Sequence, residues 1–182
     1  MKTSLAAVSV ALPTVAALVV LINPLHAQTA AALAHNESSF DLAFKAPYSV
    51  VAPLFGAEGE RLWAGAEWNP QFAFPSPGKD VMGAVFAIEN SGHKSYWMTA
   101  VYDLSARHIQ YIYITPSAMM NKIDITFPET GPDLTKVHVA YTRTALQQEI
   151  NPQVEHAAAQ DSLRAHEWQQ AIDKYLAAAR KR

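Results

Sequence analysis

The stretch NKIDITFPETGPDLTKVHVAYTRTA, residues 121–145, decides the fold class. Apolar and polar residues alternate before its central turn, as at Ile123 and Ile125, and again after it, as at Val137 and Val139. Because side chains of a strand point alternately to its two faces, each half predicts a strand with one apolar and one wet face. The turn-forming residues between the halves favour an antiparallel pair.

A long helix is predicted immediately downstream, from about Glu149 to Ala179. Apolar residues recur there at spacings of three and four, which is typical of a helix with one buried face. The apolar face of the predicted sheet is the one surface large enough to cover that stripe, so we expect the helix to lie across the sheet. The stripe comprises Trp168, Ala171, Ile172, Tyr175, Leu176 and Ala179.

Upstream of residue 121, β-rich runs separated by short connectors predict further antiparallel strands. Pro47 is suited to the start of a short helix and Gly56 to its end. Pro70, Pro75 and Pro77 indicate an irregular loop. The predicted elements are a strand at Ser39–Phe44, short helices at Pro47–Phe55 and Glu58–Trp63, and strands at Val81–Glu89, Ser95–Asp103 and His108–Thr115.

The segment PLFGAEGERLWAGAEWNP, residues 53–70, carries the most specific motif of the chain, ERLW followed by WNP. The runs GAVF, SYWMTAVYDL, YIYITP and VHVAYTRTAL follow it in order. Together these segments resemble the SRPBCC group of START-like (Bet v 1-like) proteins, in its bacterial polyketide cyclase/dehydrase-like branch. The resemblance extends from about Phe40 to Ala178.

This resemblance implies an α+β helix-grip fold. In that fold a curved seven-stranded antiparallel sheet is wrapped around a long C-terminal helix, and two short helices follow the first strand. The resemblance also implies a cavity between sheet and helix, with the short helices near its mouth. Members include lipid carriers, hormone receptors and cyclases, so the resemblance by itself assigns no reaction.

The N-terminus predicts export. Lys2 precedes an uncharged apolar run at 5–22, and residues 1–27 are typical of a signal peptide, with an uncleaved N-terminal anchor as the alternative. Residues 28–37 lack packing periodicity and predict a flexible tether, which leaves 38–182 as one START-like domain. In both cases the domain lies outside the cytoplasm, periplasmic or secreted, and contacts the membrane only through an uncleaved N-terminal segment.

Composition excludes several classes of function. The formal net charge of -2 over 182 residues gives no broad basic field, so nucleic acid is not an expected partner. The chain has no cysteine, which excludes disulfides, thiol catalysis and thiolate metal sites. No pattern indicates a cofactor, and HEWQQ at His166–Gln170 lacks the second histidine that a zinc site would require.

Aromatic residues form the candidate ligand-binding set. Tyrosine hydroxyls that project into an apolar cavity orient hydrophobic ligands, although ordinary core packing would also account for these rings. Tyr111 and Tyr113 share one strand face, whereas Trp97 and Tyr113 are expected on opposite faces of the sheet. The set comprises Trp63, Trp68, Phe72, Phe86, Trp97, Tyr102, Tyr111, Tyr113 and Tyr141.

Polar candidates are fewer. Glu60 and Arg61 are either polar anchors at the cavity mouth or a structural salt bridge or helix cap that ties a short helix to the sheet, and the structural interpretation is favoured. A cyclase-type reaction would need one positioned acid or base, so His93, Asp103 or His108 would have to face the cavity. All three fall at predicted hairpin ends, where side chains are usually solvated.

Three hypotheses follow. The leading one is the binding or transport of a hydrophobic small molecule, lipid- or polyketide-like, in an internal cavity outside the cytoplasm. The alternative is a cyclase, dehydratase or hydrolase-like enzyme that uses a tyrosine, histidine or aspartate of the cavity as acid or base. The third is a protein-interaction domain with a collapsed cavity. The sequence assigns no oligomeric state.

Overall fold

The computed structural model describes residues 32–90 and 92–181. The predicted signal peptide and residues 28–31 of the predicted tether lie outside the described residues. Within the described part, no helix is both long enough and apolar enough to cross a membrane. The elements are β1 (His35–Phe44), α1 (Tyr48–Val51), α2 (Ala57–Glu60), β2 (Gln71–Phe74), β3 (Val85–Asn90), β4 (His93–Asp103), β5 (His108–Thr115), β6 (Met119–Thr126), β7 (Thr135–Ala145) and α3 (Asn151–Ala179).

The strands form one antiparallel sheet in the order β1-β7-β6-β5-β4-β3-β2. Strands β2 to β7 follow one another as neighbours, and β1 pairs with β7 along its whole length, from His35 opposite Thr144 to Phe44 opposite Thr135. Helix α3 packs against β1 and β7. This architecture confirms the helix-grip fold, with seven strands, one long C-terminal helix and two short helices after the first strand.

Strand β2 was not expected from the sequence pattern, which predicted a loop in that region. It has four residues, lies at the edge of the sheet and pairs only with β3, where Phe72 faces Phe86. A register shift between Phe72 and Phe74 interrupts the pairing. A strand this short, bounded by prolines, offers too few positions for an alternating pattern to be visible.

The first strand is also longer than predicted. It begins at His35, so the predicted boundary of the domain at residue 38 falls three residues too late, and the last residues of the predicted tether belong to the sheet. The residues just before β1 are held by the Asn151 side chain at the start of α3. Asn151 accepts from the Ala34 amide at 2.8 Å and donates to the Ala32 carbonyl at 3.0 Å.

The alternation that decided the fold class matches the burial of the side chains. Ile123 and Ile125 are buried on β6 while Lys122 is exposed, and Val137 and Val139 on β7 are fully buried. The predicted stripe of α3 is correct through Leu176 but not at Ala179, which is exposed. The helix therefore leaves the core about one turn earlier than the pattern indicates.

Helix α3 closes the core with its C-terminal half. Ile172 is fully buried, and the Trp168 ring packs in tilted or edge-on contacts with Phe40, Phe55 and Trp63 at centroid distances of 5.7, 6.4 and 5.3 Å. Burial of this face stabilises the helix on the sheet, since apolar area removed from water is the main favourable contribution to folding.

Ile172→Ala is expected to lower the free energy of unfolding by about 2 to 5 kcal/mol, because it leaves a cavity in a packed core. Leu163→Ala on the same helix is the matched control, since Leu163 is 67% exposed, and it should change stability by no more than about 0.5 kcal/mol. Chemical denaturation of both variants measures the difference. Equal losses of stability in the two variants would mean that α3 does not bury Ile172 against the sheet.

Candidate ligand-binding cavity

The segment between β1 and β2 is fixed by three aromatic side chains that donate to its backbone. Trp63 Nε1 donates to the Leu54 carbonyl at 2.7 Å, and Trp68 Nε1 donates to the Ala57 carbonyl at 2.8 Å. The Tyr111 hydroxyl on β5 donates to the Phe55 carbonyl at 3.0 Å. These bonds dock the 3-10 turn Ala52–Phe55 and helix α2 on the concave face of the sheet.

The same segment is compact enough to require glycine. A Cβ at Gly59 would lie 1.9 Å from the Pro53 carbonyl oxygen, so no other residue fits without moving the backbone. The Asp80 carboxylate accepts from the amides of Glu58 at 2.9 Å and Gly59 at 3.3 Å at the start of α2. Burial raises the pKa of Asp80, and these amide hydrogen bonds act in the opposite direction.

A cavity of about 440 Å³ lies between α2, α3 and the concave face of the sheet. Glu67 and Asn90 are exposed and mark its opening to solvent. Ten of the fifteen lining residues are aromatic or aliphatic, and polar atoms supply much of the surface that faces the cavity. The remaining lining residues are Glu60, Ala64, Trp68, Ile88, Ser95, Trp97, Tyr111, Tyr113, Ile123, Ile125, Tyr141, Arg164 and Trp168.

Stacked rings form one wall of the cavity. Trp97 and Tyr113 are cross-strand partners whose rings stack at a centroid distance of 3.9 Å with an interplanar angle of 10°. The prediction that these two residues lie on opposite faces is therefore wrong. Register explains the difference: residues directly opposite in neighbouring strands point to the same face, and this pairing is not visible in either strand alone.

The structure brings together five of the nine predicted aromatic residues. Trp68, Trp97, Tyr111, Tyr113 and Tyr141 line the cavity. The other four lie elsewhere in the core or at its margin. Trp63 packs beneath α3, Phe86 lies behind Trp97, Phe72 covers Phe86 from the edge strand, and Tyr102 is half-buried towards the end of β4.

The predicted pair Glu60 and Arg61 separates into two roles. Arg61 is at the surface, where it binds the Glu58 carboxylate at 3.0 Å, the Asn69 side chain at 2.7 Å and the Pro70 carbonyl. It ties α2 to the following loop, whereas the structural interpretation expected the Glu60 and Arg61 pair to tie the short helix to the sheet. Glu60 points the other way, is 5% exposed and lines the cavity.

Glu60 is a carboxyl group in an apolar environment. Burial raises its pKa well above the ordinary value, and the nearby Asp80 adds to the effect. Among the described residues, none donates a hydrogen bond to the Glu60 carboxyl. Burial also raises the pKa of Tyr111 and of Tyr141, and in both cases the proximity of Glu60 contributes in the same direction. The cavity therefore favours the protonated form of Glu60.

A charged cluster lies at the α3 side of the cavity. Asp161 accepts from Arg143 Nη2 and from Arg164 Nη1, both at 2.7 Å, and also from the Ser38 hydroxyl. The guanidinium of Arg143 lies over the Tyr141 ring at 4.1 Å from its centroid. Burial raises the pKa of Tyr113, and the positive charges of Arg143 and Arg164 partly oppose that increase.

Sequence reasoning missed Arg164. The signal that would have found it is helical spacing: Arg164 precedes Trp168 by four residues and follows Asp161 by three, so all three share one face of α3. The predicted stripe comprises apolar residues alone and begins at Trp168, so it does not include Arg164.

The three candidate catalytic residues do not line the cavity. His93 is exposed at the start of β4, and His108 Nε2 lies 2.7 Å from the Asp124 carboxylate. Asp103 accepts from the hydroxyl and amide of Ser105 in the β4–β5 turn, and these hydrogen bonds lower its pKa. His166 is exposed and contacts Gln170. Over residues 32–90 and 92–181, no group of three or more His, Cys, Asp or Glu side chains is placed to hold a metal ion.

Comparison with solved structures identifies the fold: the chain has a Bet v 1-like fold, which confirms the resemblance to SRPBCC proteins at the level of the fold. It is similar to norcoclaurine synthase from Thalictrum flavum, with 15% identity, 80% of this chain and 88% of that chain covered, and a TM-score of 0.59. It is also similar to Ara h 8.0201, with 13% identity, 80% and 99% covered, and a TM-score of 0.58.

A third similar structure is a hypothetical protein from Helicobacter pylori, with 10% identity, 77% of this chain and 87% of that chain covered, and a TM-score of 0.61. No protein-family model matches the chain, and no curated protein matches it. At these identities the similarity shows the fold alone, and the function has to be inferred from the chemistry of the cavity.

Glu60→Gln is expected to gain stability relative to wild type as the pH rises. A carboxyl with a raised pKa holds its proton more tightly in the folded state than in the unfolded state. Its contribution to the free energy of unfolding of the wild type is therefore greatest below the ordinary pKa of 4.5 and declines as the pH increases towards the raised pKa. Glutamine keeps the site neutral at every pH. Denaturation at several values between about pH 5 and about pH 8 measures this difference.

Glu167→Gln removes an exposed carboxylate from α3 and controls for the change in net charge. If the stability of Glu60→Gln relative to wild type did not vary with pH, Glu60 would ionise in the cavity without cost and its pKa would not be raised by burial.

Proposed function

We propose that the protein binds a hydrophobic, ring-bearing small molecule in the cavity between α2, α3 and the sheet. The observation that carries this proposal is the aromatic wall, in which Trp97, Tyr113 and Trp68 contact one another and line a space of about 440 Å³. That volume falls within the range of small-molecule sites, about 300 to 1,000 Å³. Stacking and edge-on ring contacts favour a flat ligand over a purely aliphatic one.

Polar groups inside the cavity support the same proposal. The Tyr113 and Tyr141 hydroxyls have no hydrogen-bond partner among the described residues, in contrast to Tyr111, whose hydroxyl is bound to the Phe55 carbonyl. A few such groups in an apolar cavity fix the orientation of a ligand. One of the similar structures, norcoclaurine synthase, was solved in complex with dopamine and hydroxybenzaldehyde, so this fold accommodates small ring compounds in that protein.

The proposed site of action is outside the cytoplasm. This part rests on residues 1–27, whose lysine and apolar run are typical of a signal peptide or an N-terminal anchor. The ligands would then be lipid- or polyketide-like compounds of the cell envelope. Cell fractionation of the full chain tests the location, and recovery in the cytoplasm would contradict it.

A second candidate function is general-acid catalysis by Glu60, which no sequence pattern had suggested. The specific observation is a buried carboxyl with a raised pKa that lines an aromatic cavity and accepts no hydrogen bond from the described residues. A general acid must reach the acceptor atom of the substrate and must hold its proton until it is transferred, and a raised pKa favours that role. The alternative residues His93, Asp103 and His108 lie outside the cavity and do not support such a role.

Catalysis by Glu60 predicts that a ring compound incubated with wild-type protein is recovered chemically altered, whereas the same compound is recovered unchanged from Glu60→Gln. Liquid chromatography with mass detection of the extracted compound distinguishes the two functions. Binding without turnover in both proteins supports the carrier and rules against the enzyme.

The cavity itself is tested with the neutral apolar probe N-phenylnaphthylamine. Wild-type protein should bind it with a dissociation constant of about 1 μM or below, equivalent to about 8 kcal/mol or more. Trp97→Ala and Tyr113→Ala remove stacked rings from the wall and should weaken binding by about tenfold, or about 1.4 kcal/mol. Equilibrium dialysis measures the affinities at matched folded fractions.

Tyr96→Ala is the matched control, because Tyr96 neighbours Trp97 on β4 but points to the outer face and is 49% exposed. Its affinity for the probe should equal that of wild type. Failure of the folded wild-type protein to take up any apolar probe would contradict the cavity, and the protein-interaction domain would replace it.

A further inference from the structure

We propose that the ligand is a carboxylic acid attached to a flat ring, and that Arg164 binds its carboxylate. This inference rests on the proposed binding function and adds the chemical class of the ligand. Arg164 lines the cavity from α3.

The guanidinium of Arg164 is only partly engaged within the protein. Its Nη1 donates to Asp161 Oδ1 at 2.7 Å, and among the described residues its remaining N–H groups have no partner. The side chain is 36% exposed and its guanidinium lies 5.4 Å from the centroid of the Tyr141 ring. Arg164 therefore presents unpaired donors to the cavity at the same place as the free tyrosine hydroxyls.

Charge balance leaves a positive charge for the ligand to neutralise. Two guanidinium groups, those of Arg143 and Arg164, share the single carboxylate of Asp161. Arg143 is the buried member, with its side chain 5% exposed and its second nitrogen bound to the Ser38 hydroxyl. Both of its terminal nitrogens bind protein partners, and Arg164 rather than Arg143 lines the cavity, so the uncompensated charge of the cluster reaches the cavity through Arg164.

The other ionisable groups of the cavity do not cancel this charge. Glu60 lies in a buried environment that favours its neutral form, and Glu67 is exposed at the opening, where the Asn90 amide donates to it at 3.0 Å and solvent screens it. Tyr111, Tyr113 and Tyr141 are neutral phenols whose pKa is raised by burial.

A carboxylate fits this arrangement better than a single-point acceptor does. The planar guanidinium offers parallel N–H donors that match two carboxylate oxygens, and a charge-assisted pair is stronger than a neutral hydrogen bond. The Tyr141 hydroxyl is a further donor on the same side. The stacked Trp97 and Tyr113 rings lie at the adjacent wall and would contact a flat ring joined to that carboxylate.

The experiment compares naphthoate, naphthamide and decanoate by titration calorimetry. The first two differ in charge on the same ring system, and the third carries the carboxylate on a flexible chain. Wild-type protein should bind naphthoate more tightly than the other two. Arg164→Gln should weaken naphthoate by about tenfold or more and leave naphthamide within about twofold. Arg164→Lys, which retains the charge, should recover part of the loss.

Lys174→Gln is the matched control, since it removes one positive charge from the exposed face of the same helix. It should bind all three compounds as wild type does, and thermal unfolding verifies that each variant is folded. Equal loss of naphthoate and naphthamide affinity in Arg164→Gln would assign Arg164 a structural role and overturn the proposal.

The remaining outcomes separate this inference from the proposed function. If wild type bound naphthamide as tightly as naphthoate, the acidic class would be wrong while the cavity remained a binding site. Preference for decanoate over naphthoate would keep the carboxylate anchor but overturn the flat ring. Absence of binding by all three compounds would contradict both proposals.

Discussion

The hydrogen bonds from Trp63, Trp68 and Tyr111 to the carbonyls of residues 54–57 are the interaction on which the rest of the site depends. Each buried carbonyl left without a donor would cost about 1 to 3 kcal/mol, so these three side chains make it favourable to bury an irregular segment against the sheet. The Asp80 carboxylate holds the amides at the start of α2, Gly59 packs closely on the Pro53 carbonyl, and in this arrangement Glu60 at the end of α2 faces inward. The position of a buried acid thus follows from the packing of its neighbours.

Helix α3 divides the interior into two regions of different chemistry. Its C-terminal half contributes Ile172 and Leu176 to a closed apolar core, whereas its N-terminal half contributes Asp161 and Arg164 to a charged cluster with β7. The cavity lies where one region gives way to the other, beside Trp168. An apolar residue at 164 would extend the core, and the space would then have no charged wall.

The parts of the fold that the sequence predicts are those governed by periodicity within one element. The alternation of β6 and β7 and the stripe from Trp168 to Leu176 are visible in consecutive residues, and tertiary structure does not override them. Relations between elements are different. That Trp97 and Tyr113 share a face depends on the register of β4 with β5, which shifts at a bulge between Thr99 and Val101, and neither strand encodes that shift by itself.

Of the candidate site, only the apolar residues could be predicted, because they are recognisable within a single element. Aromatic residues are conspicuous in a sequence, and five of them do line the cavity. Glu60 is followed by the charged Arg61, and Arg164 lies between Leu163 and Ala165 outside the apolar stripe; charged residues in such positions usually lie in solvent. Only the three-dimensional arrangement shows that Arg61 turns to the surface while Glu60 turns inward, and that Arg143 and Arg164 meet one carboxylate.

The distribution of indole rings has a practical consequence. The chain has four tryptophans; Trp68, Trp97 and Trp168 line the cavity, and Trp63 packs against Trp168 at 5.3 Å. No indole lies remote from this region to supply an unresponsive background. Intrinsic tryptophan fluorescence should therefore report whether the cavity is occupied. A compound that enters the cavity changes the polarity around three of the four indoles at once. The fourth indole is close enough to exchange excitation energy with them.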